Sequence, residues 1–231
     1  MDDNISLNLD DLTFKENPTR IWIFDNVLEE NVFKHLKSKI KFDDKNTDGH
    51  GKRKLNGSYG LDKFLKENKL WSSFISHIEY GPNLIDKECF SSLESEPSSR
   101  RIGREISDLN EGSQVIPHKD KYSKVASFIF YFNETNEFTK NGVGATQFYV
   151  PHKKSKNSRL FNGSLAFDEV DLVCEVESIP NRLVVFQRSS SSWHGVQPIT
   201  IKSFTRPVYI MALMRDRNLK DQSMEFLNRF L

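Results

Sequence analysis

The chain is poor in almost everything that marks a specialised class. It has two cysteines, Cys89 and Cys174, in 231 residues, too few for a disulfide framework or a four-thiolate zinc site; both read as buried apolar residues. Neither sign of charge dominates. The 33 Lys and Arg against 32 Asp and Glu leave a net charge of +1, without the whole-molecule field of a general nucleic-acid binder. The longest purely apolar run, Val208 to Met214, has seven residues, against the roughly 18 to 20 of a membrane helix. No repeat of roughly 20 to 50 residues is visible, which excludes solenoids and propellers. The start, Met1-Asp2-Asp3-Asn4, is acidic where a secretory or mitochondrial leader is basic. The expectation is a soluble protein of a reducing compartment, the cytoplasm.

What the chain does have is bulk. Hydrophobic residues make up only 37%, but 18 Phe, 6 Tyr and 3 Trp supply a core, and a chain of this length buries most of its apolar surface without disulfides. Residues 1–19 read as a polar lead-in. Ile21-Trp22-Ile23-Phe24 reads as a strand, and Asp25-Asn26 then caps a helix carrying Val27, Phe33, Leu36 and Ile40. Residues 41–60, with the basic run Lys52-Arg53-Lys54, read as a loop, and Leu61 to Ile78 returns to helical spacing. From residue 100 short strands take over, at 101–107, 113–118, 124–133, 145–150, 182–187, 193–197 and 204–213. Regular short strands without intervening helices point to a sandwich, barrel or jelly roll. A last helix is expected over Arg215 to Leu231, with Met224, Leu227 and Phe230 on one stripe. The parts are an N-terminal strand and helices (1–99) buttressing a β-rich core with its C-terminal helix (100–231), one compact domain overall.

The chemistry-bearing segment is Pro117-His118-Lys119-Asp120. A spacing of two in extended chain puts His118 and Asp120 on one face, roughly 6 to 7 Å apart at their Cα atoms. Of the 6 histidines, His35, His50, His77 and His152 fall in helices or loops, which leaves His194, in Ser192-Trp193-His194-Gly195-Val196, directly after an apolar strand. Two imidazoles and one carboxylate on a face of an octahedral ion leave three positions open, which suits Fe(II) and oxygen chemistry rather than a closed zinc site. Ordinary imidazoles would release the metal below roughly pH 6. A lone His-x-Asp is common by chance, and a His beside Trp and Gly is more often a core residue; the joint order of strands and ligands carries the reading. Arg206, twelve residues after His194, shares its strand face with Val208 and Ile210 by period two. A buried guanidinium requires an anion. That anion is either a ligand carboxylate held by the planar fork or a surface acid at the strand mouth.

These motifs together resemble the Fe(II)/2-oxoglutarate-dependent oxygenases, in particular the prolyl-hydroxylase-like branch, over roughly residues 100–214, with a looser echo at 21–40. Pro117-His118-Lys119-Asp120 is similar to the family's His-x-Asp pair. Phe130-Tyr131-Phe132-Asn133 is similar to its aromatic strand ending in Asn, in which the Tyr131 hydroxyl would meet the oxoglutarate. Gly144-Ala145-Thr146-Gln147-Phe148 resembles its Gly-Gly-x-Thr-x-Phe strand with one Gly replaced, and Arg182 to Phe186 followed by Trp193-His194-Gly195-Val196 resembles the segment bearing the second His. Arg206 falls where the family places the base for the distal carboxylate.

The resemblance implies a double-stranded β-helix (a jelly-roll, cupin-like core) in which His118, Asp120 and His194 bind Fe(II), and Tyr131 and Arg206 hold 2-oxoglutarate. It implies O2 as co-substrate, ascorbate as an accessory reductant, and hydroxylation of a peptide side chain or small metabolite with release of succinate and CO2. Asp120 stands where related halogenases carry a small residue. Two departures matter. Ser107-Asp108-Leu109-Asn110 lacks the tyrosine many prolyl hydroxylases carry before the first metal His, and Ala212 stands where the nucleic-acid-repair branch has a second Arg. Pro207, with no amide, demands an edge position or a bulge. Basic residues at Arg100, Arg101, Arg104, Lys119, Lys121, Lys124 and in 152–156 read as solvated loops, or, around a site mouth, as a preference for an acidic peptide, a phosphorylated metabolite or a polyanion. Two other readings remain: a non-catalytic jelly-roll binding module, and a cupin-type metalloenzyme without oxoglutarate, which leaves Arg206 unused.

Overall fold

The computed structural model describes residues 5–42, 52–55, 57–80, 101–134, 142–153 and 164–214. Eight strands from residue 101 onward build a jelly roll: β4 (Arg101–Asp108), β5 (Val115–His118), β6 (Lys124–Tyr131), β7 (Thr146–Pro151), β8 (Val170–Val176), β9 (Leu183–Gln187), β10 (Trp193–Val196) and β11 (Val208–Met214). They divide between two antiparallel sheets. The larger carries β9-β6-β11-β4, extended by β2 (Ile21–Phe24) and β1 (Leu12–Lys15) beyond β9 and by β3 (Arg53–Lys54) beyond β4; the smaller is β5-β10-β7-β8. Residues before 100 therefore contribute strands to the same large sheet as well as helices.

The large sheet is the middle of three layers, and its sequence shows why. Side chains alternate across a strand, and here both faces are apolar. In β2, Trp22 and Phe24 face the helices while Ile21 and Ile23 face the small sheet; in β9, Leu183 and Val185 face the helices while Val184 and Phe186 face the small sheet. The helices are α1 (Glu30–Lys39), α2 (Gly57–Glu67) and α3 (Lys69–Tyr80). Trp71, Phe74, Ile75 and Ile78 form one stripe of α3 and pack with Phe33, Phe130, Phe132 and Tyr209. Phe33 stacks on Phe132 at 5.7 Å, and the Trp71 indole N–H donates to the Leu36 carbonyl at 2.9 Å. Buried Glu79 of α3 takes the Arg104 guanidinium and the Tyr209 hydroxyl (3.2 Å), tying the helix layer to β4 and β11.

Several expectations shift. The helix after β2 begins at Glu30 rather than behind an Asp25-Asn26 cap. Asp25 instead holds Arg182 through two hydrogen bonds of 2.6 and 2.9 Å, and the Asn181 side chain brackets Leu28 as a strand would, at 2.9 and 2.7 Å. The lead-in is partly core, with Ile5 and Leu9 buried. Arg53–Lys54 is a strand rather than loop, and Lys69 starts a second helix within the single expected one. Pro207 precedes β11, so its missing amide falls outside the ladder. Cys174 is half-buried. The expected C-terminal helix, Cys89, residues 43–51 and most of 152–156 lie outside the described residues.

Candidate active site

Strands β5 and β10 pair with His118 opposite His194, ring centroids 4.4 Å apart. The strands approach closely here because residue 195 is glycine: a Cβ on it would lie 2.5 Å from the Val115 carbonyl oxygen. Gly195→Ala is expected to prise β10 from β5, at about 1–3 kcal/mol of stability, and to weaken divalent-metal binding by displacing His194. Thermal melts and metal titration check both; neither changing would refute the account.

Each imidazole is fixed by the carbonyl two residues before it, His118 Nδ1 on Ile116 O (3.0 Å) and His194 Nδ1 on Ser192 O (2.9 Å). A carbonyl only accepts, so both Nδ1 atoms carry the proton and both Nε2 atoms present lone pairs. Asp120 lies past the end of β5 rather than on it, yet it converges on the same point. One ligand atom from each of His118, Asp120 and His194 falls within 4.8 Å of the others, and His194 Nε2 is 3.9 Å from Asp120 Oδ2. Ser127 donates to that Oδ2 at 2.8 Å, and the Lys124 ammonium holds Oδ1 at 2.6 Å. Sequence reading gave Ser127 and Lys124 no part in this.

Electrostatics keep the three groups in their metal-ready forms. Burial would raise the Asp120 carboxyl, but the positive charge available at His194 and Lys124 outweighs it and holds the group well below the carboxylate range. Burial, then the proximity of His118, lowers His194 to about 4, and burial lowers His118 against the pull of Asp120. Metal affinity is therefore expected to stay nearly level from neutral pH and to fall as pH approaches about 4, lower than the roughly pH 6 of ordinary imidazoles. For the metal-free protein, the unfolded chain protonates His194 at its ordinary value near 6.5 while the folded chain waits until about 4. This contribution to stability is complete above the upper value and declines between the two, by roughly 3 kcal/mol. Denaturant melts across that range, repeated on His194→Asn, should show a steeper slope in wild type, the variant keeping only the part that His118 contributes.

The triad opens on a cavity of about 370 Å³ that Arg206 and Thr146 also line. Arg206 is 3% exposed. Its backbone N–H donates to Asp108 Oδ1 (2.8 Å) and Leu109 O (2.9 Å), its Nε to Gly144 O (2.5 Å) and its Nη2 to Thr146 Oγ1 (2.9 Å), with the guanidinium 5.0 Å from the Tyr131 ring. Gly144 has φ +72, and a Cβ there would meet Phe204 and the Arg206 stem, at 2.7 and 3.1 Å. Tyr131 is fully buried behind the cavity wall, its hydroxyl 2.7 Å from Thr146 Oγ1. Thr146, quoted in the motif but given no role there, is the side chain that faces the cavity. Lys124 pairs with Asp120 and Lys52 with Glu105, all lining the cavity, whereas the side-chain partners of Arg206 are neutral.

No protein-family model and no curated protein matches the sequence. Solved structures do. The chain is similar to a prolyl-4-hydroxylase from Pseudomonas putida, at 16% identity over 85% of this chain and 93% of that one, TM-score 0.48. It is also similar to a Trichoplax adhaerens prolyl hydroxylase in complex with a hypoxia-inducible-factor peptide fragment (13%, 90% and 86%, 0.47). A third is HygX from Streptomyces hygroscopicus with nickel, 2-oxoglutarate and hygromycin B bound (10%, 84% and 82%, 0.48).

Proposed function

We propose that the chain is a mononuclear Fe(II)- and 2-oxoglutarate-dependent dioxygenase that hydroxylates a peptide side chain or small molecule and releases succinate and CO2. The observation that carries the reading is Arg206: a buried cation with neutral side-chain partners, sharing one cavity with two imidazole Nε2 atoms and a carboxylate. A buried guanidinium is costly without an anion, and a dicarboxylic oxo acid supplies one carboxylate for it while offering its other end to a metal. The two-His, one-carboxylate donor set, open on its cavity side, suits Fe(II).

His118 Nε2, His194 Nε2 and Asp120 Oδ2 would hold the iron. When bound there, the iron supplies the coupling of oxoglutarate oxidation by O2 to insertion of oxygen into a substrate C–H bond. Arg206 binds and orients the oxo acid through its distal carboxylate, with the Thr146 hydroxyl beside it. Tyr131 positions Thr146 and lies against the guanidinium. Phe186 and Phe148, with ring centroids 4.6 and 6.2 Å from that of His194, keep water from the ligand's inner side. Ser127 and Lys124 fix which oxygen of Asp120 faces the metal.

We take residues 1–99 as the supporting part of this catalytic unit and the cytoplasm as its location. Among the described residues no helix is long and apolar enough to cross a membrane. The test is oxoglutarate turnover. Succinate release that requires both Fe(II) and a substrate, found by pairing peptides and metabolites with the enzyme, supports the reading. Metal binding without oxoglutarate affinity would move the chain to a cupin-type metalloprotein, and binding of neither would leave a jelly-roll binding module.

A further inference from the structure

Of the basic run Lys52-Arg53-Lys54 only the pairing of Lys52 with Glu105 has entered the site so far, yet the whole run is fixed to the cavity wall. Arg53 pairs in register with Asp108, and its guanidinium meets that carboxylate, whose other oxygen accepts the backbone amide of Arg206 at 2.8 Å. Arg53 and Arg206 thus share one carboxylate, and β3 is fixed to the same part of the wall as the oxo-acid anchor. Alternation along the extended chain turns Lys52 and Lys54 the other way. Both reach Glu105, Lys52 at Oε1 and Lys54 at Oε2 (3.4 Å), but of these two lysines only Lys52 lines the cavity.

Lys52 lines the same cavity as His118 and Arg206, close enough that its charge acts on His118 and that of Arg206 acts on it. Its side chain is only 18% exposed, and burial is the main cause that lowers its pKa. An ammonium so stripped of water gains from an anion brought into the same cavity. An oxo acid held between Arg206 and the triad would occupy the cavity that Lys52 lines, with Arg206 and Thr146 already serving its far end.

We infer that Lys52, held in place by Glu105, is a second anchor of the oxo acid and meets the carboxylate next to the keto group. This rests on the oxoglutarate reading above.

The test uses calorimetric titration of the full chain loaded with Mn(II), which binds without turnover. The probes are 2-oxoglutarate; pyruvate, which keeps the keto group and near carboxylate only; and glutarate, which keeps both carboxylates and no keto group. Lys52→Gln should weaken 2-oxoglutarate and pyruvate by at least about tenfold, the scale of one hydrogen bond to a charged acceptor, with Mn(II) affinity little changed. Lys52→Arg should recover most of the loss. Arg206→Gln should weaken 2-oxoglutarate and glutarate but spare pyruvate. Lys52→Met replaces the Gln variant if melting shows the latter unfolded. Unchanged affinity for both oxo acids in the neutral variant overturns the inference. So does a loss confined to 2-oxoglutarate, which would move Lys52 to the far end, or failure of pyruvate to bind wild type. Wild type that takes Mn(II) but not 2-oxoglutarate is a different failure, that of the oxoglutarate reading itself.

Discussion

Asp120→Ala is expected to weaken divalent-metal binding by well over about a hundredfold and to abolish turnover. Loss of a mere hydrogen-bonding partner of a ligand typically costs 10–100-fold, and this change removes a ligand. It also changes the charge of the site. In the native protein the Lys124 ammonium is neutralised by Asp120 at 2.6 Å. Without that carboxylate an unneutralised cation stands where a divalent ion must enter, so repulsion adds to the missing bond. The two contributions separate in a double-mutant cycle. Asp120→Ala with Lys124→Met removes the repulsion but not the ligand deficit, so it should recover part of the lost affinity and none of the activity. Mn(II) titration of the four proteins reads both. Asp120→Ala binding metal within a few-fold of wild type would end the assignment of the triad.

The strands most legible in the sequence are those buried on both faces. β6, β9 and β11 read as near-continuous Val, Ile, Leu, Phe and Tyr because the large sheet has helices on one side and the small sheet on the other. Three strands escaped. β1 is exposed at Leu12 and Phe14, β8 is exposed at Leu172 and Val173, and β3 has two residues. All three are sheet edges, and an edge half in solvent need not alternate, so no period marks it. The helix start was misplaced because Asp25 and Asn26, good capping residues by type, occupy a turn whose polar groups are used elsewhere: Asp25 answers Arg182, and Asn26 takes φ 51.

At the site, the two histidines and Asp120 were legible because their spacing is local and their order along the chain is informative. The partners that tune them were less so. Ser127 and Thr146 differ in no way by sequence from other strand Ser and Thr, and only the register of β6 and β7 brings one to Asp120 and the other to Arg206. Lys52 sat in a run of basic residues that by composition reads as solvated loop; its place in the cavity follows from Arg53 finding Asp108, a contact between distant stretches of chain.

Arg206→Met is expected to leave metal binding nearly intact and to cost roughly 2–5 kcal/mol of 2-oxoglutarate binding, since a ligand carboxylate would then be buried without its partner. The structure adds a condition to that test. The guanidinium also satisfies the Gly144 carbonyl and reaches the Thr146 hydroxyl, so the Met variant leaves a buried acceptor unpaired and should melt earlier even with no ligand present, by about 1–3 kcal/mol. Arg206→Lys keeps the charge but cannot reproduce the fork that contacts Gly144 and Thr146 while facing a carboxylate, so its affinity should fall between wild type and Met. Melts of the ligand-free proteins measure the structural share. Titration with metal first and 2-oxoglutarate second measures the rest. The decisive quantity is the extra stabilisation that one fixed concentration of 2-oxoglutarate gives each metal-loaded protein: largest in wild type, smaller in Lys, smallest in Met. A Met variant stabilised by 2-oxoglutarate as strongly as wild type would show that the oxo acid does not lie on Arg206, and the cupin-type or binding-module reading would take its place.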